Sequence, residues 1–143
     1  MQNTTKGKDR LRVLLVDNNI EFLELAAQHL AADPTIEVVG SAMSGREALE
    51  QVSNLSPDVV LVDLAMPGMN GLELTRRLKA LPHPPCVIIV TLYDEPEYRA
   101  AALAAQADAF VAKADFYEQV GNLLRMTCDG EASLSVGARS GRA

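Results

Sequence analysis

The stretch LVDLAMPGMNGLEL, Leu61–Leu74, decides how the rest of the chain reads. It ends an apolar run, Val59–Val62, with one carboxylate, Asp63, and passes through Met66-Pro67-Gly68 into a segment whose leucines, Leu74, Leu78 and Leu81, recur at helical spacing. Proline biases Met66 towards extended geometry, and Gly68 allows a tight return into the next helix. The stretch is thus a strand, a turn and a helix, with an acid at the strand's carboxyl end. An ionised carboxylate is costly to leave dry and unpaired, so Asp63 is either a solvated strand-end acid or a working group.

Working outward, two further four-residue apolar runs, Val13–Val16 and Val87–Val90, are rich in the β-branched residues that suit strands buried on both faces. Two weaker segments, Ile36–Ala42 and Ala109–Ala112, suit edge strands. Helical stripes fall between them. Ile20, Leu23, Ala27 and Leu30 share a face, and Ala48, Leu49 and Val52 form a second stripe opened by a capping-box spacing from Ser44 to Glu47. After the Leu74 stripe, Pro82, Pro84 and Pro85 forbid continuation. Residues 95–105 give a thinly anchored helix, mostly alanine with Tyr98 and Leu103. The last stripe, Phe116, Val120, Leu123 and Leu124, follows a second box spacing, Asp115 to Glu118. Strand and helix alternating five times predict an α/β fold: a doubly wound five-stranded parallel sheet with five helices on its two faces.

At 143 residues and 48% hydrophobic, the chain has room for one domain with its own core. That domain is expected over residues 11–127, with flexible segments at 1–10 and 128–143; the latter is small, polar, Gly-rich and without periodicity. No apolar run approaches the roughly 18 residues of a membrane span, and MQNTTKGKDR carries no apolar signal core, so the expected location is cytoplasmic. Cys86 and Cys128 lack metal-ligand spacing and are expected as reduced thiols. The net charge is −6, but Lys6, Lys8, Arg10 and Arg12 crowd the start, leaving 7 basic against 16 acidic side chains over residues 13–128. A body of that sign is a poor nucleic-acid surface and favours cationic partners, metal ions included.

The odd polar residues share a position. Asp17, Asp63, Thr91 and Lys113 each stand at or just past the carboxyl end of an apolar run. In a doubly wound sheet those ends form one rim, where ligands bind at the switch point; the usual order 2-1-3-4-5 makes Asp17 and Asp63 neighbours there. Two carboxylates a few ångströms apart repel by roughly 4 kcal/mol at an effective dielectric near 20, so the pair asks for a cation. An all-oxygen set points to Mg²⁺, and a lysine and a hydroxyl beside it suit phosphoryl oxygens. The chemistry these residues indicate is phosphoryl transfer to or around Asp63.

VDNN at 16–19, VDLAMPGMNG at 62–71, Thr91 and FVAK at 110–113 resemble the receiver domains of two-component response regulators, over about residues 11–127. The resemblance implies the flavodoxin-like receiver fold and a signalling phosphoacceptor, not an enzyme in the ordinary sense. Asp63 would take a phosphoryl group from a sensor histidine kinase or phosphotransfer protein. Mg²⁺ would be held by Asp17, Asp63 and the backbone carbonyl of Ala65; Lys113 would bridge to the acyl phosphate and Thr91 would donate its hydroxyl. Phe110 takes the place of the family's switch aromatic, so that the fourth helix, fifth strand and fifth helix would change shape and meet a protein target or pair with a second copy. Asn18 departs from the family's second acid: it can offer a carbonyl oxygen but removes one negative charge, which predicts weaker Mg²⁺ affinity and slower phosphorylation. Ala114 replaces the family's common proline, a variant of receivers that precede helix-turn-helix output domains. No output domain is expected here, since 30 residues remain after Lys113 and the final helix takes about half.

Other functions fit less well. A phosphatase of the haloacid dehalogenase type needs a DxD after the first strand, where this chain reads Asp17-Asn18-Asn19; a flavin module needs a small-residue phosphate loop that Asp17 would oppose. The alternative that remains is a receiver-like docking or dimerisation module that has lost its dependence on phosphorylation. His29 and His83 read as surface residues, and Asn19 as a helix cap.

Overall fold

The computed structural model describes residues 10–128. Of the segments expected as flexible tails, all but Arg10 and Cys128 lie outside the described residues. Five parallel strands, β1 (Leu11–Val16), β2 (Ile36–Ala42), β3 (Val59–Asp63), β4 (Cys86–Thr91) and β5 (Ala109–Ala112), form one sheet in the order β2-β1-β3-β4-β5. The intervening helices are α1 (Ile20–Ala31), α2 (Gly45–Leu55), α3 (Gly71–Lys79), α4 (Pro96–Ala104) and α5 (Phe116–Leu123). A 3₁₀ turn, Lys113–Asp115, leads into α5, and a π-helical turn, Leu124–Cys128, follows it.

Because successive side chains on a strand point to opposite faces, each apolar run feeds two cores. Val13, Leu15, Val59, Leu61, Ile88 and Val90 pack under Leu23, Ala26 and Leu30 of α1 and Phe116 and Val120 of α5. Leu14, Val16, Val60, Val62, Val87 and Ile89 pack instead under Ala48 and Val52 of α2, Leu74 and Leu78 of α3 and Ala102 of α4. A strand buried on both sides has no polar face to present, which is why these runs are continuously apolar.

Local signals set most helix boundaries. Asn19, Ser44 and Asn70 cap α1, α2 and α3, each side-chain oxygen accepting a first-turn backbone N–H. The box at α2 closes with a shift, Glu47 accepting from the Met43 N–H at 2.9 Å. Five expectations are corrected. Asp115 makes no capping bond, because the chain there is still in the 3₁₀ turn. Ile20 is exposed rather than on the buried face of α1, and Leu81 lies past the end of α3. Leu103 faces solvent, and α4 is anchored by Ala102 instead. Finally, Cys86 and Cys128 are joined as a disulfide, their Cα atoms 5.7 Å apart. They are 42 residues apart in sequence and meet because the last helical turn returns to the amino end of β4.

Candidate functional site

β1 runs out at Val16, and the next residue, Asp17, is held by its own N–H donating to the Ala42 carbonyl at 3.0 Å. One carboxylate oxygen of Asp17 accepts the Asn19 N–H at 2.8 Å, and the Asn19 side chain then accepts the Phe22 N–H at 3.1 Å. The first acid is thereby tied to the first turn of α1.

Asp63 closes β3 and is buried along its whole strand. The Pro67-Gly68 turn, with Gly68 at φ +77°, brings α3 back onto the strand end, where the Gly71 N–H donates to the Leu64 carbonyl at 2.9 Å. A Cβ at Gly71 would collide with the Asp63 carbonyl oxygen and would stand 2.9 Å from the Leu64 Cα, so only glycine allows this approach. The motif that follows Asp63 therefore clamps the backbone that carries it.

Lys113 begins the turn after β5 and brings a cation to both acids. Its Nζ lies 2.7 Å from Asp17 Oδ2 and 3.8 Å from Asp63 Oδ1, with the side chain 13% exposed. Burial above all, and then the nearby Asp17 charge, raise the Asp63 carboxyl from 3.8 to about 6, with Lys113 and the backbone N–H groups of Ala65 and Leu64 pulling the other way. The folded site therefore holds a proton on Asp63 more tightly than water does, and positive charge arriving there would favour its release.

Asp17, Asn18, Asp63, Ala65 and Lys113 line one open crevice of about 380 Å³, walled on the far side by Leu92 and Tyr93. Asp17 Oδ2 is buried and receives no aligned hydrogen bond, its contact with Lys113 being an ion pair alone. That oxygen, the second carboxylate and the amide of Asn18 form an all-oxygen set suited to a hard divalent cation. Among the described residues no group of three or more His, Cys, Asp and Glu is placed to hold a metal ion, so such an ion would keep several water ligands, as Mg²⁺ does.

Five of the seven residues singled out from the sequence thus share the crevice. Thr91 and Phe110 do not line it. Thr91 is fully buried at the end of β4, and its hydroxyl accepts the Tyr93 N–H at 3.0 Å. Phe110 packs against the core beneath α2, α3 and α4 and carries the Arg99 guanidinium 4.5 Å from its ring centre. Sequence reasoning missed Phe22, whose ring centre lies 4.4 Å from Lys113 Nζ, and the crevice wall of Leu92 and Tyr93. Phe22 stands three residues after the cap Asn19, a position that places it in the first turn of α1; the loop after β4 carries no comparable signal.

The family model of the response regulator receiver domain matches residues 13–121. Over 105 residues the chain is 40% identical to a protein-glutamate methylesterase/protein-glutamine glutaminase of Nocardioides sp., covering 72% of this chain and 29% of that protein. It is 32% identical over 124 residues to the transcriptional regulatory protein LiaR of Bacillus subtilis, covering 87% of this chain and 59% of LiaR. The chain therefore spans between about a third and three fifths of these relatives. The response regulator domain of Thermotoga maritima CheB superposes with a TM-score of 0.77 at 25% identity, covering 84% of this chain and 97% of that one.

Proposed function

The chain belongs to the response regulator receiver family, a module of two-component signalling, and on that premise we propose that Asp63 is its phosphoacceptor. A carboxylate oxygen of Asp63 attacks the phosphorus of a phosphohistidine on a sensor kinase or phosphotransfer protein. The P–O bond forms as the P–N bond breaks, and the imidazole leaves with the electron pair. Lys113 neutralises the phosphoryl charge as it reaches Asp63, and Thr91 gives up the Tyr93 N–H to donate its hydroxyl to the acyl phosphate. Phe110 then follows Thr91 inward, altering the surface of α4, β5 and α5 that a target protein or a second copy reads.

The observation that carries this reading is the meeting of Lys113 with both Asp17 and Asp63 at the carboxyl rim, at 2.7 and 3.8 Å. Mg²⁺ would be held by Asp17, Asp63 and the Ala65 carbonyl, with Asn18 offering an amide oxygen, and when bound it supplies positive charge opposite the transferring phosphoryl oxygens. Among the described residues no helix is long and apolar enough to cross a membrane. The relatives that continue past this domain include methylesterases and transcriptional regulators, so in a longer protein the same switch would govern either kind of output.

Incubation with phosphoramidate and Mg²⁺ followed by intact-mass measurement tests the assignment. The expected result is a gain of one phosphoryl group that disappears in Asp63→Asn. A protein that gains none is a docking module instead. Asn18→Asp should bind Mg²⁺ more tightly and phosphorylate faster; equal affinities in a Mg²⁺ titration would remove any role for Asn18.

A further inference from the structure

We infer that Phe22 is a positioning residue for Lys113: the face of its ring holds the ammonium between the two carboxylates, ready to meet the phosphoryl group. The inference rests on the phosphoacceptor reading of Asp63 and adds a residue to it.

Four contacts close into a ring around the site. Asp17 Oδ1 accepts the Asn19 N–H at 2.8 Å, and Asn19 Oδ1 accepts the Phe22 N–H at 3.1 Å. The Phe22 ring lies 4.4 Å beneath Lys113 Nζ, and that nitrogen returns to Asp17 Oδ2 at 2.7 Å. The ring of Phe22 is itself braced, edge to face, by the fully buried Phe116 at 5.2 Å. The cap thus fixes the backbone of Phe22 and Phe116 braces its ring, and Lys113 cannot leave the aromatic face without losing a contact on that side.

A lysine stem has four rotatable carbons and a strongly hydrated head, so an ammonium beside two acids would by default collapse onto one of them. Here it is shared unequally, 2.7 Å from Asp17 and 3.8 Å from Asp63. A shift of about 1 Å along the ring face would bring it to hydrogen-bond distance of a group on Asp63. The negative face of the ring attracts the cation throughout that shift, and its bulk keeps water off a side chain that is only 13% exposed. Phe22 as mere core filler would need its hydrophobic volume and nothing of its π-electrons.

That difference supplies the test. Phe22 is replaced by mono-, di- and trifluorinated phenylalanine, which keep the ring's shape while draining its negative face, and by Leu and Trp. The rate of phosphoryl gain from phosphoramidate with Mg²⁺ is followed by intact mass, and the thermal midpoint is recorded in parallel. The rate should fall stepwise along the fluorinated series, by about three- to tenfold at its end. Phe22→Leu should match that loss and Phe22→Trp should recover the wild-type rate or exceed it, with thermal midpoints level across the fluorinated set. Equal rates along the series overturn the role of Phe22 while leaving the phosphoacceptor intact. Wild-type protein that gains no phosphoryl group overturns the phosphoacceptor and this role together.

Discussion

The two flanks of the crevice are built from the same strand-and-helix alternation and end up unlike each other. On the α1/α5 flank, Leu23, Ala26 and Leu30 interlock with Phe116, Val120 and Leu124, aromatic contacts run from Phe22 through Phe116 to Tyr117, and the Cys86–Cys128 disulfide ties the last helical turn to β4. On the α4 flank the helix buries Ala102 alone, has no side-chain cap, and leaves Leu103 74% exposed, while Leu92 in the loop that precedes it is 72% exposed. The residues that grip charge, Asp17 and Lys113, stand on the first flank, whereas Thr91 and Phe110, which the proposed switch would move, border the second. Few buried contacts mean a low cost of local opening, so the α4 flank is the easier of the two to open.

Removing the keystone of the firm flank is the hardest blow to that contrast. Phe116→Ala should lower the free energy of unfolding in urea by about 3–5 kcal/mol, since the ring is fully buried and its neighbours are held by the sheet. A loss below about 1 kcal/mol would mean that the α1/α5 face is not what anchors the site.

Next comes the covalent tie. With its ends separated by 42 positions in sequence, the disulfide restricts the unfolded chain by about 3–4 kcal/mol in the loop-entropy account, so Cys86→Ser should unfold correspondingly earlier in urea under non-reducing conditions. Wild-type protein in excess dithiol should fall to the same level. Identical midpoints with and without reductant would show that the tie contributes nothing to the firm flank.

Asp63 stands on the seam between the flanks, and its protonation gives a third test. Its folded carboxyl is raised from 3.8 to about 6, so the folded state holds the proton more tightly than the unfolded chain. The stability this provides is fully present below about pH 4, is lost as pH rises to about 6, and amounts to about 2–3 kcal/mol. Urea midpoints measured across that window without divalent ions should decline in the wild type and stay flatter in Asp63→Asn. Parallel profiles for the two proteins would remove the burial and the Asp17 repulsion as causes.

The smallest effect is expected on the loose side. Leu103→Ser should change stability by no more than about 0.5 kcal/mol, because the side chain is already in water. Hydrogen exchange should find the amides of α4 exchanging faster than those of α5 in the same protein. Protection as strong in α4 as in α5 would erase the contrast between the flanks.

Much of this was legible in one dimension. Continuous runs such as Val59–Val62 declared strands covered on both faces, and their alternation with helices declared a parallel sheet, whose order is the usual one the expectation adopted. Asp17, Asp63 and Lys113 were legible as well, because a polar residue at the end of an apolar run marks a rim whatever the packing details. Thr91 and Phe110 were harder. Their places in the strands were correctly read, but a hydroxyl turned to Tyr93 and a ring beneath Arg99 depend on side-chain choices that no spacing encodes. Asp115 and Glu118 had the spacing of a cap, yet the 3₁₀ turn that carries Lys113 to the acids displaced it.

Periodicity and turn chemistry are properties of neighbouring residues, and so the sequence alone determined the strands, most of the helix starts and the rim on which the acids gather. The tertiary structure decided who meets whom across that rim and behind it: Lys113 with Asp17 more closely than with Asp63, Phe22 beneath the ammonium, Cys86 with Cys128, and Leu103 turned out to solvent. Those pairings join residues far apart in the chain, and each exists because the packing of the whole domain leaves its two partners nowhere better to go.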